Sequence, residues 1–151
     1  MRISTQFSAA IYTLLLIDYY KDQKVTSSFI GERLNGNPVI YRNLLAKLKE
    51  AGFVTIAPGK GKEGTRLAKP LSEITLWDVF IAVEELGVES VFKSYDQFAN
   101  LSDSTKIISG IIRPIFSESV TAFKEDFSKI TLGDIMGEFR EKQQDEKSET
   151  D

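Results

Sequence analysis

Residues 35–38 read Asn-Gly-Asn-Pro, and no other stretch limits the fold of this chain so sharply. Glycine and asparagine favour turns, and the residue before a proline is pushed out of the helical region, so no helix runs through this point. The same residues also start one. Asn37 is a good N-cap and Pro38 suits the first helical position, which predicts a helix from Pro38 to about Ala51 with Gly52 placed to stop it. Upstream, SSFIGERL reads as a short helix capped by Thr26 or Ser27, with Phe29, Ile30 and Leu34 inward and Glu32 and Arg33 outward. Two helices joined by a tight turn are therefore expected between Thr26 and Gly52.

The flanking sequence extends the pattern. From Thr5 to about Tyr20, Phe7, Ala10, Ile11, Leu14, Leu15 and Asp18 recur at helical spacing and predict a first helix. After Gly52, FVTIA reads as a strand, PGKGKEG as a hairpin tip and TRLA as the returning strand before Pro70. Two short helices followed by a hairpin is the winged helix-turn-helix order. On the helix from Pro38, Tyr41, Leu44, Leu45 and Leu48 form a packing face. Val39, Arg42, Asn43 and Ala46 lie opposite, with Lys47 and Lys49 at the margins.

Further along, Thr75 and Asp78 have the spacing of a capping box ahead of WDVFIAVEEL, and Thr131 and Asp134 repeat it. ITLWDV at 74–79 is thus echoed by ITLGDI at 130–135. The echo reads as two helix starts rather than a duplication, because the surrounding residues share no period. Residues 87–104 read as irregular, and a long helix is expected from about Thr105 to Ser128. Its Ile108, Ile111, Ile112, Ile115, Phe116, Val120, Phe123 and Phe127 are too many for one edge of a small domain, which points to a two-fold dimer. Pro114 either kinks this helix or marks its start. From Glu141 the chain is polar and reads as a disordered tail. The expected class is mainly α with a small β-hairpin: a winged helix-turn-helix domain over 1–86, linker and dimerisation helices over 87–140, and a tail over 141–151.

Cysteine and histidine are both absent, which excludes disulfides, thiol switches, Cys or His metal ligation, and Ser/His or Cys/His nucleophilic catalysis. A carboxylate or lysine mechanism stays open, but no close pair of acids sits in a recognisable loop. No run of 18 apolar residues exists, so no membrane-spanning helix is expected, and the amphipathic first helix reads as that of a cytoplasmic protein. Charge is unevenly spread: residues 1–70 carry 11 Lys/Arg and 5 Asp/Glu, a net +6, while residues 71–151 carry 8 and 17, a net −9. A basic amino-terminal half is a footprint suited to nucleic acid; a solvated surface with chance asymmetry is the competing reading.

Gly59, Gly61 and Gly64 spell G-x-G-x-x-G, the spacing of a dinucleotide loop. Such a loop needs a helix after the last glycine to hold the pyrophosphate, and TRLAKP is β-like and blocked by Pro70. In a hairpin tip the same glycines supply positive φ and close approach, while Lys60, Lys62 and Arg66 add cationic reach towards a DNA backbone or minor groove. An exposed, lysine-rich loop with no ligand is the plainer alternative.

MRISTQFSAAIYTLL, NPVIYRNLLAKLKEAGFV, the glycine-rich tip with RLAKP, and EITLWDVFIAVE, in this order, resemble the bacterial winged-helix regulators of the IscR/NsrR/CymR type, the Rrf-two family. The likeness is close over roughly residues 1–85, and the N-P-V helix start looks like its YwnA-like subgroup, which lacks a described ligand. The resemblance implies a homodimer whose long helix, with Ile108, Ile111, Ile112, Ile115, Val120 and Phe123, crosses to the partner, and two winged domains on palindromic double-stranded DNA. It matches Asn37, Pro38, Val39, Arg42 and Asn43 to the start of the recognition helix, with Lys47 at its margin. It matches Arg2, Ser4, Thr5 and Gln6 to a phosphate-approaching segment, and Lys60, Lys62 and Arg66 to the wing. Two departures stand out. The family's G-G-aromatic tip is Lys62-Glu63-Gly64-Thr65 here, and the three cysteines of cluster-binding members are missing from GVESVFKSYDQFANLSDST, so no iron-sulfur cluster of that kind is expected. Phe92, Tyr95 and Phe98 could line a pocket for an unidentified effector or simply close a core.

The leading expectation is a dimeric, sequence-specific DNA-binding regulator, a repressor, with Arg42 pairing bidentately with guanine and a phosphate contact as its competing role. The alternatives are a winged module that binds protein and not DNA, and a nucleotide-binding enzyme built on Gly59, Gly61 and Gly64.

Overall fold

A computed structural model describes residues 5–57, 64–84 and 102–149. Arg2, Ser4, Gly59, Lys60, Gly61, Lys62, Phe92, Tyr95 and Phe98 lie outside the described residues. Among those described there are six helices: α1 Thr5–Tyr19, α2 Ser27–Arg33, α3 Pro38–Glu50, α4 Leu76–Val83, α5 Asp103–Lys129 and α6 Leu132–Ser148. Strands β1 Val54–Ile56 and β2 Thr65–Leu67 pair antiparallel, with Thr55 opposite Arg66. The class is mainly α with one small hairpin, and none of the described helices is long and apolar enough to cross a membrane.

Local chemistry sets both ends of α3. The Asn37 side chain accepts from the Val39 N–H at 2.9 Å, and Pro38 occupies the first turn. At the other end Gly52 takes φ 78°, Phe53 N–H donates to the Leu48 carbonyl at 2.9 Å and Gly52 N–H to that of Lys49 at 3.0 Å. These are the paired bonds of a Schellman ending. The turn before α3 is tight: Asn35 has φ 51°, and Gly36 N–H donates to the Gly31 carbonyl at 2.9 Å. The core gathers Phe7, Leu14 and Ile17 of α1, Ile30 of α2, Tyr41, Leu44, Leu45 and Leu48 of α3, and Val79, Phe80 and Val83 of α4.

The two echoed segments meet. Both capping boxes form, and Thr75 and Thr131 face each other in an antiparallel bridge. Leu76 N–H donates to the Ile130 carbonyl at 2.9 Å and Leu132 N–H to that of Ile74 at 2.8 Å. Each segment starts its own helix, as expected, and also holds the other.

This return corrects the expectation for the carboxyl-terminal region. Leu132 and Met136 are buried in the winged domain's own core, so that core is not confined to residues 1–86. Where a disordered tail was expected from Glu141, α6 continues through residues 141–148. It is held by Arg140 on Asp18 at 3.1 Å, Gln143 on the Tyr19 hydroxyl at 2.9 Å, and an i,i+4 pair between Glu138 and Lys142 at 2.9 Å. Asp18, read as part of α1's apolar stripe, is therefore an ion-pair partner. Pro114 lies inside α5 and does not mark its start.

Candidate nucleic-acid interface

α3 turns Tyr41, Leu44, Leu45 and Leu48 inward and leaves Pro38, Val39, Arg42, Asn43 and Ala46 exposed. On its α1 side, Lys47 Nζ donates to Gln6 Oε1 at 3.2 Å, which brings together two residues expected to contact DNA. Thr5, exposed, opens α1 beside Gln6. On the opposite side Arg42 lines a cleft of about 320 Å³ between α3, the segment before α2, and the hairpin. Asn37 serves as a cap, with its side-chain Oδ1 accepting from the Val39 N–H. Arg66 reaches back, donating from Nη1 to the Lys21 carbonyl at 2.9 Å, so it ties the wing to the α1–α2 loop.

Gly64 now has a structural explanation. Thr65 N–H donates to the Val25 carbonyl at 2.8 Å, and a Cβ on Gly64 would stand 2.7 Å from that oxygen and 3.0 Å from the Val25 nitrogen. The glycine permits two backbones to touch. A strand follows it and not a helix, so the pyrophosphate-cradling arrangement is absent at Gly64.

α5 presents two different faces. Phe127 stacks on Phe7 with centroids 5.6 Å apart, and Phe123 meets Phe80 edge-on at 5.4 Å and Trp77 at 6.2 Å. Val120 packs against the same core. Val120 and Phe123, expected to face a partner, are half-buried against their own chain, where the aromatic side chains of α1 and α4 supply part of their apolar cover. Ile108, Ile111 and Ile115 are 54%, 61% and 55% exposed, and Ile107, which sequence reasoning passed over, is 66% exposed. These four lie within about 100° of arc on a helix of 3.6 residues per turn. Ile112 is half-buried on the edge towards the core. Sequence reasoning also missed Lys24 and Ser27, which line the Arg42 cleft; their only signal was a lysine and a serine flanking the α2 cap.

The comparisons agree with this geometry. The family model described as "Rrf2: Iron-dependent Transcriptional regulator" matches residues 3–138. The chain is 38% identical over 88 residues to YwgB of Bacillus subtilis (strain 168), named as a candidate HTH-type transcriptional regulator, across 58% of this chain and 56% of that one. It is 28% identical to YwnA of the same organism, a candidate regulator of the same type, over 89% of this chain and 96% of that one. Among solved structures, a candidate transcriptional regulator from Lactobacillus plantarum superposes with a TM-score of 0.70 at 25% identity, covering 93% of this chain and 97% of that one. The iron in the family's description finds no cysteine ligand here. Without cysteine a cysteine-ligated cluster cannot form, and no group of three His, Cys, Asp or Glu side chains able to hold a metal exists among the described residues. A family model matched over most of the chain, together with a helix-turn-helix followed by a hairpin, places this chain in the Rrf2 family of DNA-binding helix-turn-helix transcriptional regulators, which are not enzymes.

Proposed function

We propose that the chain acts in the cytoplasm as a homodimer that binds a palindromic operator sequence-specifically and represses transcription. The observation that carries the reading is the outer face of α3, with Val39, Asn43 and Ala46 along its centre and cations on both sides, Lys47 towards α1 and Arg42 towards the wing. A helix of this kind fits the major groove, with its centre on base edges and its margins on the two phosphate backbones. The exposed isoleucines of α5 supply the apolar area for a two-fold partner. Such a dimer sets two α3 helices on half-sites about 34 Å apart, one helical turn.

The test is binding to a random-sequence duplex pool across a salt titration, followed by selection of preferred sites. A steep fall of affinity with salt and enrichment of inverted repeats are expected. Salt-independent or absent binding would leave a winged module that docks on protein. A selected site placed across a promoter should lower transcription in vitro, and a rise would reverse the assigned sign.

A further inference from the structure

Around α3, the direction opposite the buried face is taken by Val39, Asn43 and Ala46, each within about 30° of it on a 3.6-residue helix. Arg42 stands about 70° away on the wing side, and Lys47 about the same angle away on the α1 side. Arg42 is therefore a flanking residue, and it does not flank alone. The cleft it lines also receives Lys24 and Ser27 from the segment before α2, with Ile56 and Gly64 from the hairpin. Val25 and Leu45 are buried and close its inner wall, while Lys24 and Arg42 are exposed. Among the described residues neither cation is held by a carboxylate; the ion pairs lie elsewhere, on α5, on α6 and between α6 and α1. Nearby cations have other engagements: Arg66 on the Lys21 carbonyl, and Arg33 over the Phe29 ring at 3.4 Å. Two exposed cations from separate elements and a serine, all lining one cleft, suit one compact anion.

We infer that this cleft seats a backbone phosphodiester of DNA, held by Arg42 and Lys24, and that base reading falls to Val39, Asn43 and Ala46. The inference rests on the DNA-binding reading above and reverses the expectation that Arg42 pairs with guanine. The chemistry of the central strip names the bases: Asn43 suits the N6 and N7 edge of adenine, and Val39 and Ala46 suit the methyl group of thymine. A half-site rich in A·T pairs under the start of α3 follows.

The experiment uses the full chain, the random duplex pool and the motif that the wild type selects from it. Arg42→Ala and Lys24→Ala each weaken binding to the random pool and make the slope of log affinity against log salt shallower by about 0.9 for each phosphate left without its cation. Arg42→Lys keeps the slope, because a phosphate accepts a point charge where a guanine edge needs the planar fork. Selection on Arg42→Ala returns the wild-type motif, whereas Asn43→Ala relaxes one position in each half-site and leaves random-pool binding intact. Both positions are exposed, so thermal melts should match the wild type. An unchanged salt slope in Arg42→Ala overturns the phosphate seat, whatever the motif does. Loss of a guanine from the motif in both Arg42 variants would restore Arg42 as a reader. A wild type that shows no salt-dependent binding to any duplex sinks the DNA reading itself and is distinguishable from either outcome.

Discussion

Replacing Ile111 with Asp tests the dimer at its most economical point. Ile111 is 61% exposed in the single chain. Full burial of an isoleucine side chain is worth roughly 1.5–3 kcal/mol, so covering what Ile111 exposes contributes about 1–2 kcal/mol per copy. In a two-fold interface the residue counts twice, about 2–4 kcal/mol per dimer. At about 1.4 kcal/mol per decade this weakens association roughly 30- to 700-fold, before the cost of desolvating two facing carboxylates. Sedimentation velocity over a concentration series reads the shift directly, and far-UV circular dichroism checks that the helices persist. Ile111→Leu, similar in volume and apolar, should sediment as the wild type. An Ile111→Asp protein with the wild-type association constant, or a wild type that stays monomeric throughout, would refute the reasoning.

Other outcomes follow from packing and capping. Leu132→Ala, at a position with 0% exposure, should destabilise the winged domain by about 2–5 kcal/mol, read as a lowered denaturant midpoint; a change confined to α6 would mean its anchor is peripheral. Gly64→Val drives a side chain into the Val25 backbone, at a cost of about 1–3 kcal/mol, and should accelerate amide exchange at Thr65; unaltered protection would show that the hairpin yields freely. Hydrogen bonds from the Thr131 backbone and then its side chain hold the Asp134 carboxyl below its ordinary value of 3.8. A depressed folded value stabilises the start of α6 above pH about 4 and loses that effect as the pH falls through the folded value. Acid titration followed by circular dichroism should therefore show α6 loosening below pH about 4, and Asp134→Asn should flatten that response. An identical acid profile in the variant would count against it.

What was legible in the sequence was what local chemistry dictates. Asn37, Pro38 and Gly52 fixed α3 because cap, first turn and left-handed stop each depend on one or two neighbours. The capping boxes at Thr75 and Thr131 were readable for the same reason. Their pairing was not, since a backbone bridge between segments more than fifty residues apart leaves no mark in either one. The inward turn of Val120 and Phe123 depends on where Phe80 and Trp77 arrive, and the order of α6 depends on Asp18 and Tyr19 at the far end of the chain. Arg42 illustrates the boundary within the site. Helical periodicity puts it on the outer half of α3, to one side of that half's centre, and the structure adds that Lys24 and the hairpin stand on the same flank.

The bridge between Thr75 and Thr131 also bears on the order in which the chain is made. The reading head contains α1 to α4, yet its core includes Leu132 and Met136, and the Ile74 carbonyl waits for the Leu132 N–H. A nascent chain therefore emerges with its DNA-reading elements complete in sequence and a gap in the interior until α5 has been synthesised and has turned back. The helix that carries the exposed isoleucines is thus made before the amino-terminal core can close. Fragments cut short ahead of residue 132 should be poor at holding α3 in place, so that prematurely terminated chains seldom compete with finished ones for DNA.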